Sequence, residues 1–133
     1  MVTLLQKILL VNTPHPVRLS ATEERRIKTA LHRWTEARRY RMMGTSYDDI
    51  ASQLNVTKRA FNTYFTVHLK EDFRTWRTRL RIEDAKTLLL HRPDLSCSKV
   101  GATVGFSDRS NFTHQFLRYV GCTPTRWREM HGK

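Results

Sequence analysis

The sequence predicts an all-α fold in which two helix-turn-helix lobes are joined by one long linker helix, and three observations carry that prediction. The turn residues Asn55 and Gly105 lie 50 positions apart, and each is followed by two phenylalanines one helical turn apart, Phe61 with Phe65 and Phe112 with Phe116. Between the copies, FRTWRTRLRIEDAKTLLL has helical periodicity with apolar residues on two sides. The chain also carries 24 Lys and Arg against 12 Asp and Glu, a net charge of +12, which is the electrostatic footprint of a nucleic-acid partner or of a strongly solvated surface.

Taken in order, residues 1–19 hold a short apolar run, Leu4 to Val11, and then Asn12-Thr13-Pro14-His15-Pro16, where two prolines argue against continued helix. This is a linker or flexible flank, either the remnant of a connection to an upstream sensor or a native N-terminus. The first lobe spans 20–70. Ser20 with Glu23 forms a capping box, and Ile27, Leu31 and Trp34 then recur at helical spacing to about Tyr40. A second box, Ser46 with Asp49, starts a helix that points Ile50, Ala51 and Leu54 inward. After the Asn55-Val56 turn, Thr57 caps a helix that buries Phe61 and Phe65 and turns Lys58, Arg59, Asn62 and Thr63 outward.

The linker helix covers 72–92, capped by Asp72 and stopped before Pro93. At about 100° per residue, Phe73, Trp76 and Leu80 share one side while Ile82, Ala85 and Leu89 lie nearly opposite. Two apolar faces, one early and one late, are what joining two separate cores requires. The second lobe spans 95–131. Val100, Val104 and Phe106 pack a short helix against the next one, and Gly105 sits at the turn, where positive φ costs least. Ser107 is placed to cap the following helix, which buries Phe112 and Phe116 and presents Arg109, Ser110, Thr113 and His114, side chains of the kind that reach base edges in a major groove. With Ser107 as cap, this helix is one residue longer from cap to final Phe than its first-lobe counterpart, Thr57 to Phe65. Gly121 then stops the helix, Pro124 suits the first turn of the last one, and Trp127 docks it on the core.

Several functional classes find no support. Cys97 and Cys122 are too few for a disulfide framework or a zinc cluster, and the six histidines lack metal-ligand spacing, so no metal or cofactor is expected. No apolar run approaches a membrane span, and Met1 to Val11 lacks the features of a signal peptide, so a reducing cytoplasmic setting without membrane contact is expected. The nucleotide-binding and hydrolase motifs G-x-G-x-x-G, G-x-x-x-x-G-K-[ST] and G-x-S-x-G are absent. The aromatic residues fall at i, i+4 spacing, which favours core packing over base stacking.

The string Gly105-Phe106-x-Asp108-x-Ser110-x-Phe112, followed by Phe116, Gly121, Thr123-Pro124 and Trp127-Arg128, closely resembles the second-half signature of AraC/XylS-type transcription regulators. Arg81, Ile82, Ala85, Leu88 and Leu89 stand in the places of that family's linker helix, and the resemblance runs roughly from Ser20 to His131. It implies a bacterial, nucleoid-associated regulator whose recognition helices enter successive major grooves of a double-stranded DNA operator. RNA polymerase is the implied further partner, and no small-molecule ligand is implied for this segment. By motif position the base readers are Arg59, Asn62 and Thr63 in the first lobe and Arg109, Ser110, Thr113 and His114 in the second. Lys58, Arg74, Arg77, Lys99 and Arg118 are the candidates for the phosphate backbone.

Three residues depart from the family pattern. Gly101 replaces a usual Ala, which costs roughly 1 kcal/mol of helix stability unless close packing demands it. Lys70 replaces a common Gly, so that helix needs another stop. Asn55 stands at a turn position that is commonly Gly. Asp108 is assigned to favouring the helix N-terminus or to an ion pair with a nearby arginine, Arg81 being one choice. Two contrasting readings are kept: a basic protein that coats nucleic acid without sequence preference, and the DNA-binding part of a DNA-alkylation repair enzyme, which needs more cysteines than the two present.

Overall fold

The computed structural model describes residues 18–132, so most of the expected N-terminal flank lies outside the described residues. Among them are seven α-helices: α1 (Ala21–Glu36), α2 (Tyr47–Gln53), α3 (Lys58–Tyr64), α4 (Phe73–His91), α5 (Cys97–Val104), α6 (Arg109–Val120) and α7 (Pro124–His131). Both capping boxes form. Ser20 Oγ accepts from Glu23 N at 3.1 Å while Glu23 Oε1 accepts from Ser20 N, and Ser46 and Asp49 repeat the exchange. Thr57 and Asp72 cap α3 and α4 as expected, at 3.0 and 2.7 Å.

Two separate cores lie on either side of α4. The first gathers Ile27, Leu31 and Trp34 of α1, Ile50 and Ala51 of α2, Phe61 and Phe65, with Leu54 partly buried against it. The second gathers Val100, Val104, Phe106, Phe112, Phe116 and Trp127. α4 belongs to both: Phe73, Trp76 and Leu80 enter the first, and Ile82, Ala85 and Leu89 enter the second. The aromatic side chains are thus core. Trp34 stacks on Trp76 with centroids 5.8 Å apart, and Phe61 meets Phe65 edge to face at 5.0 Å.

The first helix ends earlier than its periodicity suggests. Arg38 takes left-handed geometry, φ 55°, and Arg39–Arg41 form a single 3-10 turn that swings Tyr40 back against Trp34. α3 loosens into one π turn over Phe65–Leu69, and Lys70 itself adopts φ 55°, supplying the stop that a glycine commonly gives. Asn55 likewise takes φ 55°. Gly101 is required by packing, because a Cβ there would lie 2.5 Å from Cδ2 of the buried Phe112 ring.

The cap of α6 is Asp108 and not Ser107. Its carboxylate accepts from Asn111 N at 2.7 Å, while Ser107 belongs to the turn. The reason lies in Phe106, which must reach the core; the second turn therefore needs one more residue, Phe106-Ser107 against Val56 alone. The interval from cap to last Phe is then the same in both lobes, Thr57 to Phe65 and Asp108 to Phe116. Beyond the turn the correspondence continues with an offset of one more residue, so Trp76-Arg77 in α4 matches Trp127-Arg128 in α7. Arg77 Nη1 donates to Thr45 O at 3.1 Å, and Arg128 Nη1 donates to the equivalent Leu95 O at 2.7 Å.

A hydrogen-bonded clamp fixes one lobe on the other. Arg41 Nε and Nη2 donate to the Asp84 carboxylate at 2.6 and 2.8 Å, and Tyr40 OH donates to the same group at 2.9 Å. From the next turn of α4, Arg81 donates to the carbonyls of Tyr40 and Met42 at 2.6 and 3.0 Å, so Asp108 is not its partner. Gly105 closes the junction: at φ 116° it lies so near that a Cβ would sit 2.7 Å from Arg81 Nε and 2.8 Å from Arg41 O. The hydrogen bonds to Asp84 hold the Arg41 guanidinium pKa above its usual value, and burial raises that of the Tyr40 hydroxyl.

Two expected outcomes follow from this architecture. Arg41→Ala should lower stability by about 1–3 kcal/mol, because the Asp84 side chain, only 7% exposed, keeps Tyr40 alone as partner; Arg41→Lys should recover only part of it, since an ammonium cannot make the forked contact. Urea unfolding measures both. Asp108→Ala should cost about 1 kcal/mol as a lost cap, whereas Ser107→Ala should stay within about 0.5 kcal/mol. The reverse order would restore Ser107 as the cap.

Candidate nucleic-acid interface

Each recognition helix is oriented by the two phenylalanines that it buries. In α6, Phe112 and Phe116 are inside; Arg109, Ser110 and His114 are exposed and Thr113 is half-buried. Arg109 and Thr113 border a groove of about 240 Å³ whose other wall is Cys97, Ser98 and the start of α7. Leu117, one turn beyond Thr113 and His114, is 46% exposed on this same face. Sequence reasoning passed over it because an isolated apolar residue reads as incomplete core.

In α3, Phe61 and Phe65 are inside, Arg59 and Asn62 are exposed, and Thr63 is half-buried. Aligning the two caps makes Lys58 the counterpart of Arg109, Arg59 of Ser110, Asn62 of Thr113 and Thr63 of His114. The two faces therefore carry polar side chains at matching positions, although the half-buried threonines fall one position apart, Thr63 opposite the exposed His114 and Thr113 opposite the exposed Asn62. Lys58 is exposed, with Nζ 3.1 Å from Asp48. That pair is solvated and holds the lysine only weakly.

The backbone candidates are of two kinds. Lys99, at the first turn of α5, and Arg74 and Arg118 are exposed, the last with its guanidinium 6.0 Å from the Tyr119 ring. Arg77 is half-buried: besides the Thr45 carbonyl, it lies 5.2 Å over the Phe73 ring, and burial together with neighbouring Arg74 lowers its pKa. Its position in the repeat, opposite Arg128, makes it an anchor for the chain entering α2 as well as a surface charge.

Carboxylates are largely committed elsewhere, to Arg41, Arg79, Arg92 and the helix caps. Among the described residues, Arg59, Arg109, Lys99 and Arg118 have no ion-pair partner, so their charge faces outward uncompensated. Among the same residues no group of three or more His, Cys, Asp or Glu could hold a metal ion, both cysteines are free, and no helix is long and apolar enough to cross a membrane.

The chain is similar to known proteins in sequence and in fold. The chain is 30% identical over 89 residues to the raffinose operon transcriptional regulatory protein RafR of Pediococcus pentosaceus, covering 67% of this chain and 32% of that protein. It is 35% identical over 81 residues to the HTH-type transcriptional regulator RipA of Corynebacterium glutamicum, covering 61% of this chain and 24% of the relative. It thus spans only a quarter to a third of the length of these relatives. In fold it is similar to the DNA-binding domain of the global transcriptional factor AdpA, solved in complex with a target DNA, with a TM-score of 0.70 at 19% identity over 79% of this chain and 91% of that one. The C-terminal domain of the response regulator yesN from Fusobacterium nucleatum matches with a TM-score of 0.68 at 24% identity, covering 76% and 96%. The family profile described as "Helix-turn-helix domain" matches residues 50–130, well over half the chain, and with two lobes hung on one linker helix the chain belongs to the AraC-type helix-turn-helix family of transcription regulators.

Proposed function

We propose that α3 and α6 enter successive major grooves on one face of an operator and that the chain thereby regulates transcription as a sequence-specific reader of double-stranded DNA. The observation that carries this reading is the match between the two helices, each capped eight residues before its last buried Phe and each presenting polar side chains at equivalent positions. Arg109, at the entry of α6, has the fork that fits guanine O6 and N7, and Asn62 has the amide that fits adenine N6 and N7. Arg59, Ser110, Thr63, Thr113 and His114 complete the base-reading set, and Leu117 offers an apolar surface to a thymine methyl group. Lys58, Lys99, Arg74 and Arg118 take phosphates, with Arg77 in support. RNA polymerase is the proposed protein partner. No reaction is assigned to the chain.

Footprinting on a selected site should show protection over about two helical turns, since successive major grooves on one face lie roughly 34 Å apart; protection of a single half-site would mean that one lobe stays off the DNA. Affinity should fall on the order of a thousandfold between 50 and 200 mM salt if about six phosphates are neutralised. A coating protein shows the same salt dependence but yields to excess random duplex, so competition separates the two readings.

Arg109→Ala should cost roughly 1–3 kcal/mol on the preferred site and relax preference at about one base pair, with much less change on random DNA. Its thermal unfolding should stay that of the wild type, because Ala is a good helix former and the side chain is exposed. Site selection from a random pool decides the point. An unchanged preference at every position would reduce Arg109 to a phosphate contact.

A further inference from the structure

Between α4 and α6 lies a cleft of about 370 Å³ into which four arginines converge, Arg74, Arg77 and Arg81 from the linker helix and Arg118 from the recognition helix. No carboxylate lines it. Asn111 and Gln115, on the flank of α6 beside its reading face, add amide groups that can donate. Among the described residues none of the four arginines has an ion-pair partner. Asp72 comes nearest in effect: its pKa is lowered mainly by hydrogen bonding to Thr75 and to a lesser degree by Arg74, and its carboxylate is engaged with Thr75 N.

The two inner arginines are only partly satisfied. Arg81 gives Nε and Nη2 to carbonyls and Arg77 gives Nη1, which leaves Nη1 of Arg81 and Nη2 of Arg77 without an acceptor among the described residues. Arg77 Nε is buried without a partner as well. Crowding is felt electrostatically: burial and the neighbouring Arg77 push the Arg81 guanidinium down to about 10, and burial and Arg74 lower that of Arg77. Like charges held together in a partly desolvated cleft, with donors left over, repel one another until an anion enters. Guanidinium forks match the oxygens of a phosphoryl group, and helix α4 holds three of them at i, i+3 and i+7 so that they already face one way.

We infer that the cleft between α4 and α6 is a phosphoryl-anion site, gripped by Arg74 and Arg118 at its rim and by Arg77 and Arg81 within. The phosphoryl group belongs either to the DNA backbone alongside the groove that α6 reads, in which case the inference rests on the proposed function, or to a free phosphorylated ligand. Both sources share the chemistry, and one set of measurements separates them.

Inorganic pyrophosphate is titrated into the full chain by calorimetry. Wild type should bind it saturably, and the exposed pair Arg74→Gln with Arg118→Gln should weaken binding at least tenfold. Arg25→Gln with Lys28→Gln, which removes the same charge from the outer face of α1, should change it far less. If pyrophosphate competes with duplex, and the cleft variant lowers the salt slope of duplex binding by about one per lost contact, the occupant is a DNA phosphate. If pyrophosphate and duplex bind together and the slope is unchanged, the occupant is a free phosphoryl ligand. Absence of saturable binding to wild type, or equal weakening by both double variants, overturns the inference. A wild type that selects no duplex sequence would refute the operator reading alone, since the pyrophosphate titration does not depend on it.

Discussion

Everything in this molecule hangs on α4 being a member of two cores at once. Phe73 and Trp76 are as much a part of the first lobe as its own helices, and Ile82, Ala85 and Leu89 are as much a part of the second. A helix buried on one side only would leave the lobes to swivel about its exposed end. Here the side changes between Leu80 and Ile82, and at that crossover Arg81 and Asp84 take hold of the segment 40–42. The contacts are polar because the crossover is where neither core supplies apolar surface. They are effective because Asp84 is nearly buried and all three of its hydrogen bonds come from one short turn.

The second organising fact is repetition with one inserted residue. From Ser46 and Ser96 through the turns the copies run in step; past the turns the second gains a position, and thereafter caps, phenylalanines, left-handed stops and the Trp-Arg pairs correspond throughout. The start of α4 is therefore to the first lobe what α7 is to the second. The copies differ in how fully their arginine is satisfied. Arg128 reaches the carbonyls of Leu89, Leu95 and Arg92 at the end of the linker helix, whereas Arg77 finds only Thr45. The donors left over on Arg77 sit beside the cleft that collects the other linker arginines.

Much of this was legible in the sequence, and the limits have physical causes. Capping boxes, turn residues and apolar periodicity are local, so Ser20 with Glu23, Ser46 with Asp49, the Thr57 cap and both faces of α4 could be read directly. The end of α1 could not, since Tyr40 keeps the helical period while Arg38 breaks the helix. Ser107 and Asp108 are both good caps, and only the need of Phe106 to reach the core decides between them. The clamp joins residues about forty positions apart by polar contacts, which leaves no period to detect. The exposed face of α6, proposed above to read bases, was legible because Phe112 and Phe116 fix its direction. The cleft was not, because residues 74–81 and 111–118 meet only once both cores have packed.

The close seat of Gly105 against the Arg41 carbonyl has a consequence for how two modest contacts add up. If the lobes were free to wander, docking one would leave the other to search a large volume, and its local concentration at the neighbouring half-site would be low. A junction without room for a methyl group removes that search. The second contact then forms at a high effective concentration, so overall grip can exceed that of either lobe manyfold without any added interaction. The same rigidity acts as a ruler: half-sites phased differently along the duplex forfeit the whole gain, and tolerance of spacing is set at a glycine that touches no DNA in the proposed complex.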